Sequence, residues 1–142
     1  MAEQQLTDTY AVRAGEYQTA GDASASIKRK LKQLGVDSGI LRRIAVASYE
    51  AELNLIIHSQ GGELIMEMTP VELVLISRDV GPGIADISLA LKEGFSTASE
   101  EARDLGFGAG MGLPNMKRNA DTFAIESALG KGTTIRMGFR LQ

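Results

Sequence analysis

The sequence contains no cysteine. Disulfides and thiolate metal sites are therefore excluded. A single histidine, His58, rules out a multi-histidine zinc site. No apolar run reaches the length a bilayer span requires. Neither sign of charge dominates. Lys and Arg number 15 against 18 Asp and Glu, for a net charge of -3. That balance gives no electrostatic reason to expect nucleic acid or an anionic membrane as a partner. The opening Met1-Ala2-Glu3-Gln4-Gln5 lacks the charged-then-apolar pattern of a secretory leader, so a cytoplasmic location is expected.

What is present is ordinary in amount and unusual in placement. Hydrophobic residues make up 44% of the 142 residues and charged residues 23%. This suits one soluble domain, 1–142, with a sizeable core. Sixteen glycines are many. They gather at Gly81–Gly83, Gly106–Gly112 and Gly130–Gly132, where the backbone must turn tightly or approach something closely. No internal repeat or low-complexity segment is visible.

Taken in order, Asp8 to Ala14 reads as a first, edge strand. Gly21-Asp22 opens a helix through Leu34, with Ile27, Leu31 and Leu34 on one side, and Gly35 stops it. Lys28, Arg29, Lys30 and Lys32 fill the rest and read as a solvated face. Asp37 or Ser38 caps a second helix that runs to about His58 or Ser59. Ile40, Leu41, Ile44, Val46, Ala47, Ala51, Leu55 and Ile56 give it more than one apolar stripe, so most of it is buried.

Glu50, Asn54 and His58 nevertheless recur every four residues along that helix, as one slowly drifting polar row. Unpaired buried polar groups are costly, so the row either faces solvent or lines a pocket. Glu52 lies off the row and reads as solvated. His58 either caps the helix end or lines the same pocket.

Gly62 to Met68 and Val71 to Asp79 read as a hairpin turning at Thr69-Pro70. The second strand is apolar on both faces and hence central. It ends at an acid followed by Gly81-Pro82-Gly83, which cannot continue a strand. Asp79 is therefore held at the C-terminal end of a central strand, where α/β proteins often bind ligands. There a carboxylate can accept a hydrogen bond from an exocyclic amine.

Ala85 to Glu93 reads as a short helix or loop. A polar stretch from about 94 to 106 is long for a compact domain and reads as a lid or a disordered loop. Gly106-Phe107-Gly108-Ala109-Gly110-Met111-Gly112 then leads into Leu113-Pro114-Asn115, a helix start. Backbone N–H groups beside a helix N-terminus make a phosphate site. The run is neither a Walker A loop nor a dinucleotide fingerprint, because its glycines fall at every second position. A flexible linker is the bland alternative. Arg103 and Arg118 could touch phosphate or a partner, but read first as solvated charges, and Lys131 reads as a hairpin-tip charge. A second hairpin, Thr122 to Ala128 and Gly132 to Leu141, closes the chain around Leu129-Gly130-Lys131-Gly132.

The order of Glu50-x-x-x-Asn54, Asp79-x-Gly81-x-Gly83, the glycine run and Gly132-Thr133 resembles the GHKL (Bergerat-fold) ATPase superfamily. Within it, Gly112-Leu113-Pro114-Asn115-Met116-Lys117-Arg118, Ile125-Glu126-Ser127 and Gly130-Lys131-Gly132-Thr133-Thr134 look most like the stand-alone anti-sigma regulatory serine kinases. The resemblance implies an α+β fold: a two-layer sandwich whose mixed, mostly antiparallel sheet is covered on one face by helices. It implies ATP and Mg²⁺ as cofactors. Asp79 would accept the adenine amine, with Thr133 nearby, and Gly81 and Gly83 would let the backbone approach. Asn54 would offer its oxygen to Mg²⁺, which takes few protein ligands beside phosphates. Gly108, Gly110, Met111 and Gly112 would meet the phosphates. Glu50 would be the general base, about one helical turn, roughly 6 Å, from Asn54.

The function so implied is a protein serine/threonine kinase acting on a STAS-type anti-sigma antagonist. A nucleotide-set binding module that captures a sigma factor, or an accessory subunit of a larger enzyme, are the alternatives. No direct nucleic-acid or membrane contact is expected, and a homodimer stays open.

Overall fold

The computed structural model describes residues 5–58, 61–81, 112–128 and 130–141. Among the described residues five strands form one sheet: β1 (Leu6–Val12), β2 (Gly62–Met68), β3 (Glu72–Asp79), β4 (Thr122–Ala128) and β5 (Gly132–Arg140). Their spatial order is β1-β2-β3-β5-β4, with every neighbouring pair antiparallel. Among the described residues three α-helices accompany it: α1 (Asp22–Gln33), α2 (Ser38–His58) and α3 (Gly112–Asn119). The fold is thus α+β, with antiparallel pairing throughout the described strands.

The layers follow from the period-two pattern of the strands. Leu64 and Met66, Leu73 and Leu75, and Ile135, Met137 and Phe139 point to one face, and each is fully or almost fully buried. They meet Ile27 and Leu31 of α1, Ile44, Ala47, Ala51 and Leu55 of α2, and Leu113 and Met116 of α3 in one continuous core. α2 lies between α1 and α3 and packs on both, as well as on β3. Val74 and Ile76 point to the uncovered face. Ile76 is nonetheless buried, flanked in register by Ile65 and Arg136. That is why β3 is apolar on both sides.

Some local expectations shift. β1 occupies Leu6–Val12 rather than 8–14, because its ladder with β2 ends at the pair Val12–Gly62. Lys30 does not belong to a solvated face; it pairs with Asp8 on β1. Val46 is 37% exposed, beside the equally exposed Tyr49, so it contributes nothing to the buried side of α2. The cap of α2 is Asp37, whose Oδ2 accepts the N–H groups of Gly39 at 3.0 Å and Ile40 at 3.3 Å. Among the described residues no helix is long and apolar enough to cross a membrane.

The largest correction concerns Glu52. It is 2% exposed, not solvated. α1 begins after Gly21, which sits at φ +100 and has no side chain to cap the helix. The carboxylate of Glu52 reaches across from α2 instead. Its Oε2 accepts the N–H groups of Gly21 and Ala23, both at 3.1 Å, and its Oε1 that of Ser24 at 2.9 Å. These are orphan donors of a helix start, and a negative charge there also meets the favourable end of the helix dipole.

Candidate functional site

Asp79 is the last residue of the middle strand. By alternation it shares the helix-covered face with Leu73, Leu75 and Ser77. Two glycines crowd it. Gly62 stands opposite on β2, where an added Cβ would lie 2.8 Å from the Asp79 Cα. Gly132 begins β5 at φ +104, where an added Cβ would lie 2.9 Å from Asp79 Oδ1. Only glycine fits that cradle and that backbone angle. The next residue on β5, Thr133, donates its backbone N–H to Asp79 Oδ1 at 2.7 Å. One carboxylate oxygen is thereby fixed, leaving the other for a ligand. Burial raises the Asp79 carboxyl above its ordinary range, and the Thr133 N–H opposes that rise. Gly81 is buried just beyond the strand end.

Thr133 is itself buried. Its hydroxyl lies 2.8 Å from that of Ser127 on β4.

The second cluster lies where α2 meets α3. Glu50 is half-buried, and its Oε1 accepts the amide N–H of Asn115 at 3.5 Å. Its Oε2 faces Gly112, the first residue of α3, where an added Cβ would lie 3.3 Å away. Burial raises the Glu50 carboxyl too, and the Asn115 hydrogen bond opposes it. Asn54 is half-buried one turn further along α2. The far end of α3 is tied to the same helix: Arg43 donates from Nε to the Asn119 carbonyl at 3.0 Å and from its terminal nitrogen to Asp121 Oδ1 at 2.8 Å. Asp121 also accepts the Arg140 N–H at 2.7 Å, and that bond is the main reason its carboxyl lies below its ordinary range.

The structure therefore brings Glu50 together with Gly112, and Asp79 together with Thr133, on the helix-covered side of one sheet. Gly83, Gly108, Gly110 and Met111 lie outside the described residues. So do the stretch 94–106, Ala85 to Glu93, Arg103 and the side chain of His58. Arg118 is exposed, but it donates to Asn115 Oδ1 at 3.2 Å rather than being a purely solvated charge. Sequence reasoning did not single out Asn115 or Ser127. Asn115 lies three residues after Gly112, on the same face of the helix, which is the signal that would have found it. Ser127 is in register with Thr133, and pairing partners cannot be read until the strand register is known.

The donors fit an adenosine phosphate with Mg²⁺: a fixed carboxylate at a strand end, a glycine-walled cradle, a hard carboxamide oxygen, and a helix start beside a carboxylate. That chemistry suits a nucleotide-binding domain of α+β type. Residues 39–142 match the family described as histidine kinase-, DNA gyrase B-, and HSP90-like ATPase, and the chain belongs to that family. It is 34% identical over 109 residues to the serine/threonine-protein kinase RsbT of Bacillus subtilis (strain 168), covering 74% of this chain and 76% of that one. It is 31% identical over 121 residues to the anti-sigma F factor of Geobacillus stearothermophilus, covering 80% and 78%. The anti-sigma F factor of Caldanaerobacter subterraneus subsp. tengcongensis is 35% identical over 100 residues, 66% of each chain.

Proposed function

We propose that this chain is an ATP-dependent protein serine/threonine kinase that phosphorylates a small STAS-type anti-sigma antagonist in a sigma-factor switch. The reading takes residues 1–142 as one cytoplasmic ATPase domain. The observation that carries it is the half-buried Glu50 carboxylate at the first residue of α3, one turn from Asn54. The similarity to a relative named as a serine/threonine kinase supports the same reading.

In this mechanism Asp79 accepts the exocyclic amine of adenine. Gly81 and Gly83 allow close approach of the backbone. The N–H groups from Gly108 to Gly112 would meet the phosphates, Gly112 being at the positive end of α3. Asn54 would hold Mg²⁺, which when bound draws negative charge from the γ-phosphate. Glu50 takes the proton from the serine or threonine hydroxyl of the substrate protein. The hydroxyl oxygen then bonds to the γ-phosphorus, the bond from that phosphorus to its bridging oxygen breaks, and ADP leaves. A carboxyl raised by burial is a stronger base than an ordinary glutamate.

The test is incubation with Mg-ATP and a STAS-type protein from the same organism. The proposal expects phosphoserine or phosphothreonine on that protein. Absence of phosphate with binding intact contradicts it. A second reading has its own support, since several relatives are named anti-sigma F factors. Here the nucleotide sets a conformation that captures a sigma factor, as monomer or homodimer. Glu50→Gln separates the two: a kinase loses transfer, while a capture module keeps its hold on the sigma factor.

A further inference from the structure

We propose that Asn115 decides which oxygen of Glu50 serves as the base, by holding the other one, and is thus a positioning residue for phosphoryl transfer. This rests on the reading of Glu50 as the general base of a kinase.

Asn115 and Arg118 are neighbours on α3, three residues apart. Arg118 donates to Asn115 Oδ1 at 3.2 Å. A guanidinium carries five N–H donors and no acceptor, so this contact runs one way. The further interaction of Arg118 leaves that unchanged, because no partner can make a guanidinium accept. The amide is therefore fixed: its oxygen faces Arg118 and its NH2 group faces Glu50. Turned over, it would set N–H against N–H at Arg118 and oxygen against carboxylate at Glu50. The NH2 group donates to Glu50 Oε1 at 3.5 Å. That bond is long, and the charge on its acceptor strengthens it. Glu50 Oε2 faces Gly112, the first residue of α3. The backbone of Asn115 is anchored as well. Its carbonyl accepts from the Asn119 side chain at 2.8 Å, and the Asn119 carbonyl accepts from Arg43 of α2 at 3.0 Å.

The two oxygens of Glu50 thereby take different duties. Oε1 is held by Asn115. Oε2 is turned to the helix start, and it takes the proton. The O–H bond of the substrate serine or threonine breaks and its proton passes to Oε2. The electron pair left on the hydroxyl oxygen forms the bond to the γ-phosphorus, and the pair of the broken phosphorus–oxygen bond leaves with ADP. Without Asn115 the half-buried carboxylate can turn about its last bonds, and few of its orientations aim an oxygen at the hydroxyl. The same hydrogen bond lowers the proton affinity of Glu50. Its loss alone makes Glu50 a stronger base, so a fall in rate on removing Asn115 reports lost orientation.

The experiment is a double-mutant cycle on the full chain, read by single-turnover transfer from Mg-ATP to a STAS-type protein, with ATP affinity measured by calorimetry. Asn115→Ala should lower the transfer rate at least about tenfold and leave ATP affinity nearly unchanged. In the Glu50→Gln background the same substitution should cost nothing further, because Asn115 acts only through Glu50. Asn115→Gln, which keeps the donor on a longer stem, should regain part of the loss. If Asn115→Ala does not fold, Asn115→Asp reads the same cycle, since it keeps the shape and the Arg118 contact but offers Glu50 no N–H. A second readout needs no catalysis: in nucleotide-free protein, Glu50→Gln should move the side-chain amide resonances of Asn115. A rate kept or raised without Asn115, a loss just as large in the Glu50→Gln background, or amide resonances unmoved by Glu50→Gln each overturns the proposal. No transfer by the unsubstituted chain with ATP bound overturns the kinase reading and this assignment with it. Transfer that is indifferent to Asn115 overturns only the role of Asn115.

Discussion

Glu50 carries the chemistry in this account, and its environment makes two consequences calculable in sign. Burial places its folded-state pKa above that of the unfolded chain. A base must be ionised to accept a proton, so transfer should fall with acid at a pH above the ordinary glutamate range; a pH–rate profile checks this. For stability the sign runs the other way. As pH falls towards the raised value, the folded state takes up a proton that the unfolded chain still lacks, so acidification stabilises. At neutral pH the ionised carboxylate is a cost to the fold. Glu50→Gln should therefore lower the transfer rate by at least about a hundredfold while raising the thermal midpoint. A fall in both would identify Glu50 as a structural residue. The half-buried places of Glu50 and Asn54 on α2 and of Asp79 at the end of β3 were legible before any coordinates, because a polar row on an apolar helix and an acid closing an apolar strand are both local patterns. Glu52 was not legible. Its partner is the start of α1, 28 to 31 residues upstream, and a helix wheel shows only that it stands off the row. The clue was Gly21, a helix start with no side chain of its own to cap it.

At the scale of elements, α2 is the fixture on which the other two helices are hung. Glu52 holds the start of α1 on one side. Glu50 and Arg43 hold the two ends of α3 on the other. Glu50 and Asn54 are about 40° apart around the α2 axis at about 100° per residue, whereas Glu52 is about 160° from both. The Glu52 clamp thus resists rotation of α2 from the side opposite Glu50 and Asn54. Glu52→Ala should destabilise by about 3 kcal/mol, because it leaves buried N–H groups unpaired and removes the helix cap. Urea unfolding measures it, and a change under about 0.5 kcal/mol would refute the clamp on the same principle. Arg43→Ala should cost less, about 1 to 2 kcal/mol. Its signature is faster amide exchange at Met116 to Ala120, with α1 unaffected. Element positions could be read closely from the sequence, since apolar periodicity and turn residues are local signals. The exact end of β1 could not, because it is set by pairing with Gly62.

For the molecule as a whole, the two hairpins were readable from Thr69-Pro70 and from Gly130-Lys131-Gly132. The order β1-β2-β3-β5-β4 was not. Nothing local says that the last strand inserts between β3 and β4, yet this insertion brings Gly132 and Thr133 against Asp79. The site thus depends on a long-range pairing that closes only when the C-terminal strand is in place. The helices cover one face, so a ligand between them and the end of β3 would touch α2, α3 and the sheet together. That cavity is the central claim, and titration calorimetry with Mg-ATP on the unsubstituted chain and on Asp79→Asn tests it most directly. With Oδ1 still accepting the Thr133 N–H, the new amide group faces the adenine amine donor to donor. The account predicts binding by the unsubstituted chain and at least about a tenfold loss in Asp79→Asn. Equal affinity in the two, or no binding by either, would contradict it.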